Sequence, residues 1–399
     1  MERHYGMDWL RIGAFALLIF YHIGMVFVPW GFHIKTAQPM DWVEIPMLLT
    51  NPWRLTLLFV VSGYASRALL SKSAGIGGFL KNRTSRLLIP LAFGMAVVVP
   101  PQTWVQLVGQ NGYGQSYLWF LAHDYFRFGK LDGIVMPTWN HLWFVAYLWV
   151  YTLALALLML VPGADRLQAA FDRVFGGGRA VLLPVIFLLV TQFWLFHRED
   201  DTHDLFGDGL AHLQYFPAFL FGFGLAASRT AMAGLARWWK ASAATAIACY
   251  AVMAGLLVAY PDFSFPTHDV TIIFRLVREI DTWIAIAALI GVAEHFLNRD
   301  HAWRTTLAEA TFPFYIIHQT VIVLVEFWVK PLGIGAAGEF AILVPATIAG
   351  CWAFYLIGRE VNVLRPLIGL KARAKPAKAA KAAASTGWIE TVRARPDVA

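Results

Sequence analysis

The 399-residue chain is 58% hydrophobic and only 14% charged, whereas soluble domains carry about 25% charged residues; that deficit excludes an ordinary soluble protein. A formal net charge of +7 raises nucleic acid as a partner, but the basic residues lie between apolar runs, where they serve membrane orientation, so no nucleic acid is expected. Cys249 and Cys351 fall inside apolar segments without paired spacing, so neither a disulfide frame nor a metal site is expected.

Apolar runs of about bilayer-crossing length fall at 8–28, 51–70, 87–108, 139–160, 181–197, 212–228, 240–259, 272–296, 311–330 and 338–358. The first carries ionisable groups and no small-x-small site follows it, so it reads as a retained span rather than a signal peptide. The runs are continuous, not alternating, which predicts an all-α fold: a polytopic membrane bundle of about ten transmembrane helices. Lys and Arg gather in the even-numbered connections, at Arg67 to Arg86, at Arg166, Arg173 and Arg179, at Arg229, Arg237 and Lys240, and again in the C-terminal tail. The fifth connection is acidic, with Glu199, Asp200, Asp201, Asp204 and Asp208. The positive-inside rule then puts both termini in the cytoplasm. The third connection, about 109–138, is rich in Gly, aromatic and turn residues and reads as either a solvated connector or a lid over an acceptor site. Residues 1–360 form the expected membrane domain. Residues 361–399 are a basic, Ala/Lys-rich cytoplasmic tail whose Lys375, Lys378 and Lys381 suit anionic headgroups.

Within the first run, Arg11 and His22 are about 20° apart around a helix and about 16 Å apart along it. Asp8 precedes Arg11 on the same face and can pair with it. Charged and imidazole groups in a membrane helix are costly, which makes this stripe the leading site candidate. His22 is either a general base for a hydroxyl or a histidine bonded to a neighbouring helix, and the shared stripe favours the base. Arg11 either orients an anionic donor or snorkels to headgroups. Arg83 and Arg86 are two forked guanidiniums on one side of a helical turn, able to grip a phosphate, though on spacing alone they read first as topology signals. Ser62-Gly63 supplies a small polar step for helix packing, and Ser62 is a candidate to touch substrate. His141 and Trp143 open the fourth helix, Arg275 and Glu279 lie four apart in the eighth, and His318 lies in the ninth. These groups read either as interface anchors and helix–helix bonds, with Arg275 and Glu279 a structural pair, or as the lining of a cavity for a hydroxyl-rich acceptor.

Asp8-x-x-Arg11 with Arg11-x10-His22, Leu58-Phe59-x-x-Ser62-Gly63, Arg83-x-x-Arg86, His141-Leu142-Trp143-Phe144 and Tyr315-x-x-His318 together resemble the acyltransferase 3 family of integral membrane proteins, over about residues 5–360. Asn51-Pro52-Trp53-Arg54 is similar to the branch that includes the glucan-succinylating membrane protein of bacterial osmoregulated glucan synthesis. Tyr64 stands where Phe is common, and Val60-Val61 replaces a more usual aromatic or Leu pair. The resemblance implies acyl transfer, acetyl or succinyl, from a cytoplasmic acyl-CoA co-substrate to a carbohydrate or other envelope hydroxyl, in a multi-pass protein of the bacterial inner membrane with no permanently bound cofactor. It makes His22 the catalytic residue, with Arg11 and Asp8 supporting it and Arg83 and Arg86 holding coenzyme A phosphates. The alternative is a transporter or exporter of a polar glycan or lipid-linked substrate; such proteins show two similar halves, and no such symmetry is visible in the chain.

Overall fold

Apolar segments that must satisfy every backbone group internally become helices, and the computed structural model, which describes residues 4–195 and 204–373, is built almost entirely of them. In chain order they are α1 (Tyr5–Gly24), α2 (Glu44–Leu48), α3 (Arg54–Leu70), α4 (Gly75–Phe93), α5 (Pro100–Asn111), α6 (Tyr117–Trp119), α7 (Trp143–Leu160), α8 (Ala164–Phe175), α9 (Arg179–Val190), α10 (Gly209–Leu225), α11 (Arg229–Ala259), α12 (His268–Phe296), α13 (Ala302–Val329), α14 (Gly335–Glu360) and α15 (Leu364–Leu367). The acidic residues Glu199, Asp200 and Asp201 and the tail lysines Lys375, Lys378 and Lys381 lie outside the described residues.

A helix stands at each of the ten predicted positions, but among the described residues six are long and apolar enough to cross a membrane: Tyr5–Gly24, Gly75–Asn111, Asn140–Leu160, Arg229–Ala259, Ala302–Leu332 and Gly335–Glu360. A seventh is possible if the pair Arg166–Phe175 and Arg179–Phe193, bent by 89°, counts as one span. The three other predicted spans differ for physical reasons. α3 and α10 have 17 residues each, short of the ~20 that a hydrocarbon crossing takes, and α12 carries Asp269, Arg275, Arg278, Glu279 and Asp281 in its first half.

The third predicted span extends further than its apolar run. α4 and α5 are joined through a wide turn at Gly94–Val98 into one helical rod, Gly75–Asn111, so Arg83 and Arg86 sit inside α4 rather than in a loop. The rod ends where Gly112 takes φ 68°, a left-handed conformation that glycine adopts without strain. The all-α expectation also has one exception. β1 (Gly129–Leu131) and β2 (Ile134–Met136) pair antiparallel across Asp132 and Gly133, both at positive φ. That is the two-residue hairpin chemistry of an Asp-Gly step.

α3 and α10 cross with their backbones nearly touching. A Cβ on Gly63 would lie 1.9 Å from the Phe219 carbonyl oxygen, and one on Gly222 would lie 1.9 Å from that of Val60. Small residues permit such approach in the absence of a hydrophobic driving force between helices. The main core joins α1, α3, α7, α10, α12 and α13 through Leu18, Phe59, Phe144, Tyr215, Ile286 and Tyr315. α15 folds back so that Ile368 meets Gly358 and Gly369 meets Phe312, which carries the ordered fold past the expected boundary at residue 360.

Candidate active site

α1 and α13 run side by side in the same direction. In the last turn of α1, two residues before the helix ends at Gly24, His22 meets His318 of α13: Nδ1 of His22 and Nε2 of His318 are 3.2 Å apart. His22 Nδ1 is also 2.9 Å from the Leu18 carbonyl oxygen. His318 Nδ1 is 2.7 Å from the Tyr315 carbonyl oxygen. His141, just before α7, donates from Nε2 to the Ile316 carbonyl oxygen at 3.0 Å, and the Tyr315 hydroxyl donates to the His141 carbonyl oxygen. His318 and Tyr315 are essentially fully buried. Three imidazoles from three parts of the chain therefore form one cluster, each anchored to backbone.

His22 and His141 lie on the wall of a cavity of about 900 Å³, shared with Tyr21, Phe32, His33, Arg54, Trp139, Asn140, Trp143 and Gln319 and with Val135 of β2 and Pro137 just after it. Arg54, at the first turn of α3, stacks its guanidinium 3.4 Å from the Tyr21 ring centroid, and the Tyr21 hydroxyl accepts from Asn51 Nδ2 at 2.7 Å. Below Gln319 is a buried amide network. Gln102 Oε1 accepts from Gln319 Nε2 at 3.0 Å and from Asn140 Nδ2 at 3.1 Å, while Gln102 Nε2 donates to Thr320 Oγ1 at 2.6 Å. The shared Gln102 carbonyl ties Gln319 and Asn140 to one buried anchor, and such coupling is rigid, so both side chains stand at fixed positions on the cavity wall. Amides, imidazoles, indoles and one guanidinium around a polar hollow suit a hydroxyl-rich ligand.

The other end of the α1 stripe is basic. Arg11 is in electrostatic contact with Arg86, Arg304 and Asp8, and Arg83 with Arg86 and Arg11. Arg83 Nη2 donates to Ser66 Oγ at 3.0 Å, and Ser66 Oγ donates to the Ser62 carbonyl oxygen at 2.7 Å. The Nε atoms of Arg11 and Arg83 are buried and have no hydrogen-bond partner among the described residues. Arg86 lines a groove of about 450 Å³ with Lys81, Ser85, Leu370 and Lys371, and among the described residues no carboxylate lines it. Converging guanidiniums favour an anion at this end of the stripe.

A domain description of the acyltransferase type, the acyltransferase 3 domain, matches residues 4–356. The chain belongs to the acyltransferase 3 family. Among its curated relatives, glucans biosynthesis protein C of Escherichia coli O1:K1 / APEC is 26% identical over 201 residues, which is 47% of this chain and 50% of that protein. The protein of the same name from Escherichia coli O139:H28 (strain E24377A / ETEC) is 24% identical over the same share. The chain thus matches about half the length of these relatives. No solved structure matches it.

Within this acyltransferase 3 fold the sequence candidates divide into two groups. His22, His141 and Trp143 line the cavity and His318 backs it, while Arg11, Asp8, Arg83, Arg86 and Ser62 gather at the basic end. Asp8 has a partner beyond the expected Arg11: Arg304 Nη1, 2.7 Å from Asp8 Oδ2. The structure does not bring Arg275 and Glu279 to the cavity wall; Glu279 is buried on α12 with Arg278 Nη1 3.9 Å away. Ser62 has no histidine on its hydroxyl among the described residues, which leaves it without the base that a nucleophile needs. Sequence reasoning missed Gln102, Gln319 and Arg54 as a set. Gln102 carried a usable signal, since an amide inside the apolar run 87–108 is as costly there as a histidine.

Proposed function

We propose that this acyltransferase moves an acyl group, acetyl or succinyl, from acyl-CoA at the basic end to a hydroxyl of a carbohydrate or other envelope acceptor held in the cavity, with His22 as general base. The observation that carries this reading is the state of the two His22 nitrogens: Nδ1 is engaged by Leu18 and His318, leaving Nε2 as the nitrogen available to the cavity. The acceptor hydroxyl gives its proton to Nε2 as its oxygen attacks the thioester carbonyl. The carbon–oxygen bond forms and the carbon–sulfur bond breaks. The proton then passes to the departing thiolate, leaving an ester and free coenzyme A.

The groove of Lys81, Arg86 and Lys371 suits the nucleotide phosphates of the donor, and Arg11 suits a position between groove and thioester. In this proposal α3, α10 and α12 are crossings besides the long apolar helices: α11 and α12 run antiparallel, with Gly291 packed on Trp239 at one end and Phe274 clustered with Met253 and Leu257 at the other, and α3 and α10 pack backbone to backbone. With ten crossings and the basic end inside, both termini would be cytoplasmic and the cavity would face the envelope of a bacterial inner membrane. The relatives named glucans biosynthesis protein C make a glucan hydroxyl the first acceptor to try.

The test is transfer itself. Purified protein in nanodiscs is given acetyl-CoA or succinyl-CoA with glucan oligosaccharides, and release of free thiol and esterified sugar are followed by mass spectrometry. His22→Ala is expected to abolish ester formation while retaining the wild-type melting transition. Undiminished transfer by His22→Ala overturns the base assignment, and absence of any transfer by the wild type across donors and acceptors overturns the activity.

A further inference from the structure

Resting on the base assignment above, we infer that His318 is a positioning residue for His22: its Nε2 lone pair accepts the His22 Nδ1–H and thereby fixes the tautomer and ring orientation in which His22 Nε2 is the base. The inference follows from a chain of partners, each with one possible role. A carbonyl oxygen only accepts. The Tyr315 carbonyl, 2.7 Å from His318 Nδ1, therefore puts the His318 ring proton on Nδ1 and leaves Nε2 with a lone pair. That lone pair is directed at His22 Nδ1, 3.2 Å away. The Leu18 carbonyl, 2.9 Å from the same nitrogen, is also an acceptor. Both neighbours thus require a proton on His22 Nδ1, and the neutral ring keeps its basic pair on Nε2.

Two acceptors on one N–H do different work. Leu18 belongs to His22's own helix and moves with it. His318 comes from α13, 296 residues away, and is itself fully buried with its Nδ1 tied to α13 backbone. It therefore holds the imidazole plane against a second rigid element, as the buried carboxylate holds the histidine of a serine hydrolase triad. The difference is charge. His318 is neutral, so it directs the proton and shares the positive charge that develops on His22 without a carboxylate in the membrane. The charged or titratable groups around the pair are His141 at the start of α7, Arg54 on α3, His33 in the loop after α1, Asp204 on the cavity wall and the hydroxyls of Tyr21 and Tyr315. His141 packs edge-on against His318 with ring centroids 5.1 Å apart and gives its own Nε2–H to Ile316, so it does not compete for the His318 lone pair.

The experiment compares His318→Leu, which removes the acceptor, with His318→Gln, whose Oε1 can accept from His22 Nδ1. Full-length protein in nanodiscs is used throughout. His318→Leu is expected to lower kcat by about 100-fold, with KM for acyl-CoA within about twofold of wild type and an altered acidic limb in the pH profile. His318→Gln is expected to recover most of that loss and restore the limb. Equal losses in both variants with an unaltered pH profile would assign His318 a merely structural role and overturn the inference. A second readout needs no turnover. In ¹⁵N-histidine-labelled protein the His22 signals should report a protonated Nδ1 and an unprotonated Nε2 in wild type and His318→Gln, and tautomer mixing in His318→Leu. A protonated Nε2 in wild type overturns the inference whatever the activity, whereas inactive wild type with the expected tautomer overturns only the proposed reaction.

Discussion

Asp8 Oδ2 and Arg304 Nη1 are 2.7 Å apart, and their separation in sequence, 296 residues, equals that between His22 and His318. α1 and α13 therefore lie parallel and in register from the basic end to the cavity, about 21 Å at 1.5 Å per residue. The ion pair locks one end of this helix pair and the histidine contact occupies the other. Arg304 is buried and also bonds Asp300 Oδ1 at 2.7 Å. Asp8→Ala should cost about 1–3 kcal/mol, the penalty for leaving part of a buried donor array unmade, read as a lower melting temperature in detergent. Because Asp300 remains, Arg304→Ala should cost more than Asp8→Ala.

The α3–α10 crossing makes a sharper prediction. Gly63→Ala forces a Cβ into the Phe219 carbonyl, and because backbone blocks it no rotamer change relieves the clash. A loss of about 2 kcal/mol or more is expected, at the upper part of the usual overpacking range, seen as poor accumulation or a lowered melting temperature. Gly13→Ala is the control. Among the described residues nothing outside its own helix lies within 4 Å of its Cβ position, so it should be neutral or gain about 0.5–1 kcal/mol from helix propensity.

If the groove at the basic end takes the donor as proposed, donor and acceptor kinetics should separate. Arg86→Ala and Lys371→Ala should each raise KM for acyl-CoA by about tenfold, the loss of ~1.4 kcal/mol that a charge-assisted bond to phosphate supplies, with KM for the sugar unchanged. Arg83→Ala should behave differently, because Arg83 bonds Ser66 and its removal also loosens α3 against α4. Steady-state kinetics with each substrate varied in turn distinguish the two effects. A rise confined to the sugar KM would refute the donor groove.

Outside the spans, Lys35 gives a pH dependence with a defined sign. It donates to the Met25 carbonyl oxygen at 2.7 Å and to that of Val28, bracing the chain just after α1, and burial lowers its ammonium from the usual 10.5 to about 8. Between pH 8 and 10.5 the unfolded lysine is charged while the folded one is neutral, so the unfolded state binds more protons and stability rises with pH. That contribution is complete above 10.5 and lost as pH falls through 8. The melting temperature of wild type relative to Lys35→Met should therefore climb from pH 8 to 10.5 and be flat below 8. A flat difference throughout would show that Lys35 stays hydrated.

Composition and the run lengths determined the helical membrane class, because lipid leaves a chain no other way to satisfy its backbone. The stripe of Asp8, Arg11 and His22 was equally legible, since polar groups in an apolar helix stand out against their cost. The Asp132-Gly133 step carries a two-residue hairpin signal that the all-α expectation passed over, because the apolar runs dominate the pattern. Other features had no local signature. α3 and α10 have only 17 residues each, and what keeps them in the bundle is the mutual approach at Gly63 and Gly222, which a window of hydropathy does not register. Arg304 reads as a loop cation until α13 is laid beside α1. The pairing of His22 with His318 and the joining of Gln102, Asn140 and Gln319 into one network likewise exist only once distant helices pack. One dimension specified which residues are expensive to bury; the tertiary structure decided which of them meet, because hydrogen bonds and close packing act over about 3 Å and take no account of separation along the chain.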